Sequence, residues 1–413
     1  MSGFFRDGGE LTCDGVPLAA IAEAVETPVY VYSRASIEES FRRFDAAFAS
    51  VPHLVCYATK ANSNLAILRV LAGLSAGADV VSGGELRAAL LCGIGPERIV
   101  FSGVGKTDAE IEHAVASGIL AFNAESEREI EKIDAAAGQF GQLARVALRV
   151  NPDIDPKSHP YISTGLKHNK FGVDIGRARS IYEATRRLER VVMTGIQAHI
   201  GSQIVDPKPL AETARALAAV ASELLRAGFP LETLDLGGGI GIGDADGPGL
   251  SPEDYAAAVL PPVSGLPLRI LIEPGRAVVG PAGVLVTRVL YRKRTGEKEF
   301  VVTDAGMNDL IRAPLYGAIH EIESVGPPSK NLLVADVVGP ICETSDFFAT
   351  DLTLPEPAEG ALLAIRDAGA YGFAMSSNYN FRPRAAEVLV EGGGFRVARR
   401  RETFEDLVRL EAE

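Results

Sequence analysis

Hydrophobic and polar positions follow two different patterns along the chain. From about residue 35 to residue 280, short apolar runs typical of buried strands alternate with amphipathic stretches typical of helices, such as SGGELRAALLCG and PLAETARALAAVASELLRAG. The eight strand candidates are LVCYAT from Leu54, ADVVS from Ala78, RIVFSG from Arg98, LAFNAE from Leu120, RVALRVN from Arg145, MTGIQAHIG from Met193, TLDLGGG from Thr233 and RILIEPG from Arg269. Eight such units predict a parallel (β/α)8 TIM barrel, with a doubly wound sheet as the alternative that alternation alone leaves open.

After about residue 280 the long amphipathic helices become rare. Strand-like runs follow one another instead: VLVTRVLYRKR, FVVTDAG, NLLVADVVG, ALLAIRDAGAYG and EVLVEGGGFRVARR. They predict a mostly antiparallel C-terminal β-barrel or β-sandwich domain. The earlier run VYVYS, Val29 to Ser33, is a candidate for the same domain. The expected division is therefore a barrel over 35–280 and a β domain formed by 1–34 and 281–413.

Polar and glycine residues stand at the end of nearly every predicted barrel strand. They are Lys60, Ser82, Ser102, Asn123, Asn151, His199 with Ser202, Gly237 to Gly239, and Glu273 with Arg276. Strand ends are often polar, but barrel active sites also collect such residues at the carboxyl ends of the strands. A lysine, a histidine, three glycines and a Glu-Pro-Gly-Arg turn together favour an active site.

Charge and composition narrow the class of protein. The chain has 413 residues, 47% of them hydrophobic, and a formal net charge of −13. This charge argues against general binding to nucleic acid or to an anionic membrane. No apolar run reaches the length of about 18 residues that a membrane span needs, and the start of the chain has no signal-peptide pattern. The scattered Cys13, Cys56, Cys92 and Cys342 indicate neither a zinc site nor a disulfide framework, so we expect a cytoplasmic enzyme.

Each candidate residue has an ordinary explanation beside its functional one. Lys60 is either a solvated strand end or an amine that forms a Schiff base with a carbonyl group. The glycines Gly237 to Gly239 are either a tight turn or a loop whose N–H groups bind phosphate. Glu273 and Arg276 are either a local ion pair or a carboxylate for a pyridine nitrogen beside a cation for a substrate carboxylate. His199 is either a core residue or a ring that lies against a cofactor.

The second predicted domain adds further candidates. Cys342 and Glu343 occur in GPICETSDFF, where a thiol next to acidic residues is a possible proton donor. Arg312 and Tyr316 occur in RAPLYGA, and Tyr371 occurs in DAGAYG near the turn NYNFRPR. They are either an ordinary loop surface or the cations and hydroxyls that bind a polar amino acid.

Taken together, these motifs resemble the pyridoxal-phosphate-dependent decarboxylases of the alanine-racemase-like fold type. The matching segments are YATKAN around Lys60, ADVVSGGEL from Ala78, STGLKHNKFG from Ser163, HIGSQ from His199, the glycines after Asp235, EPGR from Glu273, CETSD from Cys342 and the NYNFRPR turn. Among these enzymes the diaminopimelate decarboxylase family is the most similar. The resemblance implies decarboxylation of meso-2,6-diaminopimelate to L-lysine and CO2, the last step of lysine biosynthesis.

The resemblance also implies a role for each candidate. Lys60 would carry pyridoxal 5'-phosphate, His199 would stack on its ring, and Glu273 would pair with the pyridine nitrogen. The phosphate region would be bound by Ser202, Gly237, Gly238, Gly239, Gly275, Arg276 and Tyr371. Substrate would be bound by Arg276, Arg312, Tyr316, Glu343 and Tyr371. Cys342 would donate a proton in the partner subunit's site, which implies a homodimer with shared active sites.

Small departures from the family motifs leave alternatives open. The segments YATKANSN, CETSD and NKFG replace the more familiar YAVKANPN, CESGD and SKFG. None of these changes removes a group that carries chemistry. The alternatives are a decarboxylase of ornithine, arginine or carboxynorspermidine, an amino-acid racemase, or a non-enzymatic cofactor-binding barrel. Arg312 favours a substrate with a second carboxylate, and the segment around Cys342 favours a decarboxylase.

Overall fold

A computed structural model describes residues 3–156, 164, 169–243 and 247–411. The chain forms two compact units. One unit comprises Ser40–Ile242 and Pro248–Ala277, and the other comprises Met1–Glu39, Gly243–Gly247 and Val278–Glu413.

The first unit is a closed barrel of eight parallel strands. The strands are His53–Ala58, Gly77–Val80, Ile99–Phe101, Ala121–Ala124, Ala144–Asn151, Val191–Gln197, Thr233–Asp235 and Arg269–Ile272. Neighbours in the chain pair with one another, and the last strand returns to pair with the first, Ile272 lying opposite Val55. A short strand, Val173–Asp174, pairs with the end of the fifth barrel strand. The predicted TIM barrel is confirmed, and every predicted strand forms because its near-continuous apolar run is buried.

Helices connect the barrel strands. They are Leu65–Gly73, Gly83–Leu91, Asp108–Ser117, Glu127–Gln139, Ala178–Thr185, Pro207–Arg226 and Pro252–Val259, with Arg34–Ala47 before the first strand and Arg276–Val279 after the last. Capping residues start several of them. Thr107 forms a reciprocal capping box with Glu110, and the Ser82 hydroxyl accepts a hydrogen bond from the Glu85 N–H group.

The second unit is built mainly from β-strands. They are Phe4–Asp7, Glu10–Cys13, Val16–Pro17, Val29–Ser33, Gly283–Thr295, Lys298–Thr303, Ile322–Ser324, Leu332–Val338, Phe347–Pro355, Leu362–Ile365, Ala386–Glu391 and Gly394–Arg399. The short helices Leu18–Val25, Arg312–Tyr316 and Phe404–Val408 accompany them. Most strand pairs are antiparallel, as predicted.

The early strand Val29–Ser33 belongs to this β unit. It pairs antiparallel with Gly283–Val286 and parallel with Ala386–Val390, so the suggestion that VYVYS joins the β domain is confirmed. Its side chains Val29 and Val31 are fully buried in the core of the unit. Within the described residues, no helix has both the length and the apolar character needed to cross a bilayer.

Candidate active site

Lys60 follows the first barrel strand in a short helical turn, Thr59–Ala61. Its Nζ lies 2.6 Å from Oδ2 of Asp79, a fully buried carboxylate on the neighbouring strand. The strand register sets this contact, because Ala58 lies directly opposite Asp79. The Thr59 hydroxyl donates to the Asp79 carbonyl oxygen at 2.9 Å. Lys60 is therefore an ammonium paired with a buried acid, which differs from a solvated strand end.

Glu273 follows directly after the last barrel strand and is buried. Its Oε1 accepts a hydrogen bond from Asn123 Nδ2 at 3.1 Å, and its Oε2 accepts one from Gln197 Nε2 at 3.2 Å. Burial raises the pKa of Glu273 well above its ordinary value, and the nearby charges of Asp235 and Asp79 raise it further. Two amide groups thus fix the orientation of a carboxyl group that holds a proton readily.

His199 is a half-buried, neutral ring. Its Nδ1 accepts a hydrogen bond from the Gly238 N–H group at 3.1 Å, so the proton of the neutral ring is on Nε2. Burial lowers the pKa of His199 well below its ordinary value, and the positive charges of Lys60 and Arg149 lower it further. The main-chain contact fixes the ring orientation beside the glycine turn.

The three glycines after Asp235 form a turn that has no room for side chains. Gly237 and Gly239 have φ values of 67° and 97°, in the left-handed region that favours glycine. A Cβ atom on Gly238 would lie 2.0 Å from the Glu273 carbonyl oxygen. Oδ1 of Asp235 accepts a hydrogen bond from the Gly237 N–H group at 2.8 Å and holds the start of the turn.

The end of the last strand lies in the same part of the barrel unit. Arg276 donates from Nη2 to the Ser202 hydroxyl oxygen at 3.1 Å. A Cβ atom on Gly275 would lie 3.0 Å from the Cβ atoms of both Ala58 and Ala61. The N–H groups of Gly239 and Gly275 donate to no group in the part of the chain that the structure describes. Main-chain donors beside an arginine are the chemistry that binds a phosphate group.

A cavity in the barrel unit brings several predicted residues together. It has a volume of about 270 Å³ and is lined by Lys60, Val81, Ser102, Gly103, Arg149, Thr164, Phe171, Gln197, His199 and Glu273. An amine, a buried acid and a neutral imidazole therefore face one space. The Thr164 hydroxyl donates to the His199 carbonyl oxygen at 2.7 Å. Ser163 and His168 of the predicted STGLKHNKFG motif lie outside the described residues.

Cys342 and Glu343 lie on an exposed loop of the β unit. Asp346 anchors this loop, because its carboxylate accepts hydrogen bonds from the N–H groups of Ile341 and Met307, both at 2.6 Å. Asn380 accepts a hydrogen bond from the Cys342 N–H group at 3.0 Å, and the Tyr379 hydroxyl donates to Glu343 Oε1. The loop is thus held firmly while it presents a thiol and a carboxylate at the surface.

Comparisons with known proteins place the whole chain in one family. Residues 34–280 match the model for the pyridoxal binding domain of pyridoxal-dependent decarboxylases. The diaminopimelate decarboxylase of Aquifex aeolicus is 48% identical over 405 residues, which cover 98% of this chain and 96% of that protein. The chain belongs to the diaminopimelate decarboxylase family.

Solved structures of diaminopimelate decarboxylases share the fold. The Helicobacter pylori enzyme complexed with L-lysine is 44% identical, with a TM-score of 0.92 over 95% of this chain and 99% of that one. The M. jannaschii enzyme in complex with L-lysine is 38% identical, with a TM-score of 0.95 over 100% of this chain and 99% of that one. Family membership makes the chain a pyridoxal-phosphate-dependent carboxy-lyase.

The remaining predicted site residues of this decarboxylase lie in the β unit. Arg312 starts the short helix Arg312–Tyr316 and is buried, with Nη1 3.0 Å from His320 Nε2. Tyr316 ends the same helix and is half-buried. Tyr371 is also half-buried. Its backbone φ angle is 56°, a value that is uncommon for residues other than glycine.

The structure adds buried polar residues that the sequence pattern did not identify as part of the site. Asp79 pairs with Lys60, Gln197 holds Glu273, and Arg149 forms a buried ion pair with Glu125 at 2.6 Å. Asp235 is buried near Glu273, and in the sequence it marks only the start of the glycine run. The signal was present as charged residues inside apolar strands, in ADVV, VALRVN and LDLG. Buried charges in such places are retained only when they are paired.

Proposed function

We propose that this protein decarboxylates meso-2,6-diaminopimelate to L-lysine and CO2, in the last step of lysine biosynthesis. The observation that carries the proposal is the cavity that Lys60, His199 and Glu273 line together. Such a cavity could support several reactions of pyridoxal phosphate. Membership of the diaminopimelate decarboxylase family over nearly the full length favours this one. An anchored arginine, Arg312, favours a substrate that carries a second carboxylate.

The residues of the barrel unit fit pyridoxal 5'-phosphate. Lys60 supplies an amine for the aldehyde, Glu273 supplies a buried carboxyl group for the pyridine nitrogen, and His199 supplies a flat neutral ring. Ser202, Gly239, Gly275 and Arg276 supply hydroxyl, main-chain and guanidinium donors for the phosphate, and Gly237 and Gly238 shape the turn on the cofactor side. Tyr371 of the β unit is proposed as a further phosphate ligand. When bound, the cofactor supplies the electron sink for the electrons that remain after CO2 leaves.

The charged residues of the site prepare Lys60 and Glu273 for these roles. Lys60 must lose a proton before its Nζ can bind a carbonyl carbon, and Asp79 at 2.6 Å holds the ammonium form in place until then. Burial favours the protonated form of Glu273, and a protonated pyridine nitrogen would give its carboxylate an ionic partner. His199 stays neutral and adds no charge beside the ring.

Residues of the β unit, with Arg276 of the barrel unit, are proposed to bind the substrate, and Cys342 of the β unit is proposed to supply the final proton. Arg312 and Arg276 bind carboxylates, Tyr316 and Tyr371 supply hydroxyl groups, and Glu343 binds the distal ammonium. Cys342 Sγ donates the proton that replaces the lost CO2 at the substrate's Cα. Its exposed position on an anchored loop supports this role.

We further propose that the enzyme is a cytoplasmic homodimer with shared active sites. In this arrangement Cys342 and Glu343 of one protomer complete the site around Lys60 of the other. The exposure of both side chains on the anchored loop supports a role toward a second chain. All four cysteines are free thiols, which supports a reducing compartment.

A substrate panel tests the proposed function. The purified protein with pyridoxal phosphate is given meso-diaminopimelate, ornithine, arginine or carboxynorspermidine, and products are identified by mass spectrometry. Lysine from diaminopimelate, with no turnover of the other three, is the expected result. Turnover of another substrate in its place would retain the cofactor chemistry and overturn the assigned specificity.

A further inference from the structure

His320 is a buried histidine whose two ring nitrogens both have defined partners. Its Nδ1 lies 2.7 Å from the Arg366 carbonyl oxygen, and its Nε2 lies 3.0 Å from Nη1 of Arg312. A carbonyl oxygen only accepts hydrogen bonds, so Nδ1 carries a proton. A guanidinium only donates, so Nε2 must be the acceptor. These two contacts require the neutral ring with its proton on Nδ1.

The backbone of the β unit fixes this arrangement. Gly317 ends the helix Arg312–Tyr316 with a φ of 63°, which turns the chain back so that His320 reaches Arg312. On the other side, Ile322 pairs with Ile365, and the Arg366 N–H group donates to the Glu321 carbonyl oxygen at 2.8 Å. The Arg366 carbonyl oxygen is therefore part of a paired strand end. His320 connects this rigid strand end to Arg312.

We propose that His320 is a positioning residue that sets substrate specificity by aiming the Arg312 guanidinium at the distal carboxylate of the substrate. The proposal rests on the proposed function, because it takes diaminopimelate as the substrate and Arg312 as one of its ligands. Both residues are buried, Arg312 to 8% exposure and His320 to 5%. A long arginine side chain loses considerable rotamer entropy when it is ordered. A hydrogen bond to a fixed imidazole orders the Arg312 side chain before the substrate binds, so this entropy is not lost during binding.

The chemistry of the acceptor explains why a histidine suits this position. A carboxylate acceptor would hold the guanidinium equally well, but its negative charge would oppose the approach of a substrate carboxylate. The neutral imidazole accepts one hydrogen bond and brings no charge of its own. Arg312 thus keeps its attraction for an anion while its direction is fixed, and a substrate that lacks the second carboxylate gains nothing from it.

Two isosteric variants separate the two contacts of His320. In His320→Asn the amide nitrogen takes the place of Nδ1, which keeps the bond to Arg366 and removes the acceptor for Arg312. In His320→Gln the longer side chain places its amide oxygen at the position of Nε2 and keeps that acceptor. Both variants keep a polar, similarly sized group at a buried position. Thermal melting of each checks that the fold is retained.

The expected result is a split between ligands. His320→Asn raises the KM for meso-diaminopimelate about tenfold to a hundredfold with kcat within about threefold, as expected for loss of one hydrogen bond to a charged group. Inhibition by cadaverine, the matching diamine that has neither carboxylate, changes by no more than about twofold. His320→Gln stays within about threefold of the wild type for both ligands. Equal effects of the two variants, equal losses for both ligands, or no loss in His320→Asn would overturn the proposal.

A binding measurement separates failure of this inference from failure of the proposed function. Binding of meso-diaminopimelate and of cadaverine, which has neither carboxylate, to the cofactor-loaded protein is followed by the change in visible absorbance. Should the wild type bind diaminopimelate more tightly without producing lysine, the proposed reaction fails, and loss of that preference in His320→Asn still supports the role of His320. An unchanged preference in His320→Asn contradicts the inference whatever the reaction.

Discussion

At the scale of single residues, the barrel site is a cluster of buried ionisable groups that affect one another's ionisation. Asp79 is paired with Lys60, while the charges of Asp235 and Asp79 add to the effect of burial and raise the pKa of Glu273. Burial raises the pKa of Asp235 to about 6. Because a buried charge is costly without a partner, such a cluster is stable only when some of its carboxyl groups hold protons. A bound cation, such as a protonated pyridine ring, relieves this cost at Glu273.

The first prediction concerns the amine. Lys60→Ala removes the only group that we assign to covalent attachment of the cofactor, so activity falls by at least about a thousandfold. Borohydride reduction followed by peptide mass mapping labels the peptide with Lys60 in the wild type and no peptide in the variant. Lys132→Ala, at a partly exposed lysine of the same unit, is the matched control. Labelling of another lysine in Lys60→Ala would contradict the assignment.

The second prediction concerns the buried acid Asp235. Its folded-state pKa of about 6 lies above its ordinary value, so the cofactor-free protein loses stability as the pH rises through 6. Asp235→Asn cannot ionise, and its side-chain oxygen still accepts from the Gly237 N–H group. The variant is therefore more stable than the wild type at pH 7.5, by up to about 3 kcal/mol, because one pKa unit corresponds to about 1.4 kcal/mol.

Urea unfolding of the cofactor-free proteins at several pH values measures this difference. The gain in unfolding free energy from Asp235→Asn shrinks as the pH falls from 7.5 to 5. Asp7→Asn, at an exposed acid of the β unit, serves as the control. A gain that is the same at every pH would show that the charge of Asp235 is not its cause.

Sequence reasoning selected single residues where a polar side chain stands out from its apolar neighbours. Lys60, His199 and Glu273 interrupt apolar strands at their carboxyl ends, and all three line one cavity. Asp79 was not selected, because the sequence does not show which residue would pair with a single acid in ADVVS. Only the register that sets Ala58 opposite Asp79 identifies that partner as Lys60.

At the scale of elements, the glycine turn after the strand Thr233–Asp235 is the most constrained segment of the site. The Glu273 N–H group donates to the Gly237 carbonyl oxygen at 2.7 Å, which brings the turn against the end of the last strand. Close approach of the two backbones leaves no space for a Cβ atom on Gly238. The turn therefore couples the proposed phosphate site to the position of Glu273.

The third prediction tests this turn. Gly238→Ala would place a Cβ atom 2.0 Å from the Glu273 carbonyl oxygen, so the backbone must move. We expect weaker binding of pyridoxal phosphate, by about tenfold or more, together with a lower melting temperature. Gly105→Ala is the matched control, because a Cβ atom on Gly105 meets nothing within 4 Å. Unchanged cofactor affinity in Gly238→Ala would contradict the role assigned to the turn.

Strands were predicted best where burial is uniform. All eight barrel strands have near-continuous apolar runs, and the sequence pattern identified each of them. The hairpin strands Phe4–Asp7 and Glu10–Cys13 were missed, because they are short and partly exposed. Phe347–Pro355 was also missed, because its sequence FFATDLTLP does not show a regular alternation of apolar and polar residues. Pairing with Leu332–Val338 is what makes the latter segment a strand.

At the scale of the whole molecule, the sequence motifs predicted the family better than any single pattern did. Several motifs in the right order over nearly the whole chain identified the diaminopimelate decarboxylase family, which relatives at 48% identity confirm. The sequence pattern did not distinguish the barrel from a doubly wound sheet, because both alternate strands and helices. Closure of the ring by pairing of Ile272 with Val55 decides between them.

The fourth prediction concerns the proposed dimer. A Lys60→Ala protomer lacks the cofactor amine, and a Cys342→Ala protomer lacks the proton donor that we assign to its partner's site. Each homodimer is therefore nearly inactive, but a mixed dimer contains one intact site. Mixing the two variants after dissociation restores up to about a quarter of wild-type activity, because half of the dimers are mixed and each has one site. No recovery in dimers shown to be mixed would count against a shared site.

The most direct test of the proposed reaction is the mass of the product formed from meso-diaminopimelate in D2O by the pyridoxal-phosphate-loaded wild-type protein. The expected product is L-lysine with a single deuterium at the carbon that lost CO2, because a solvent-exchanged proton donor replaces the carboxylate. Absence of lysine, or recovery of diaminopimelate labelled at Cα without loss of CO2, would contradict it.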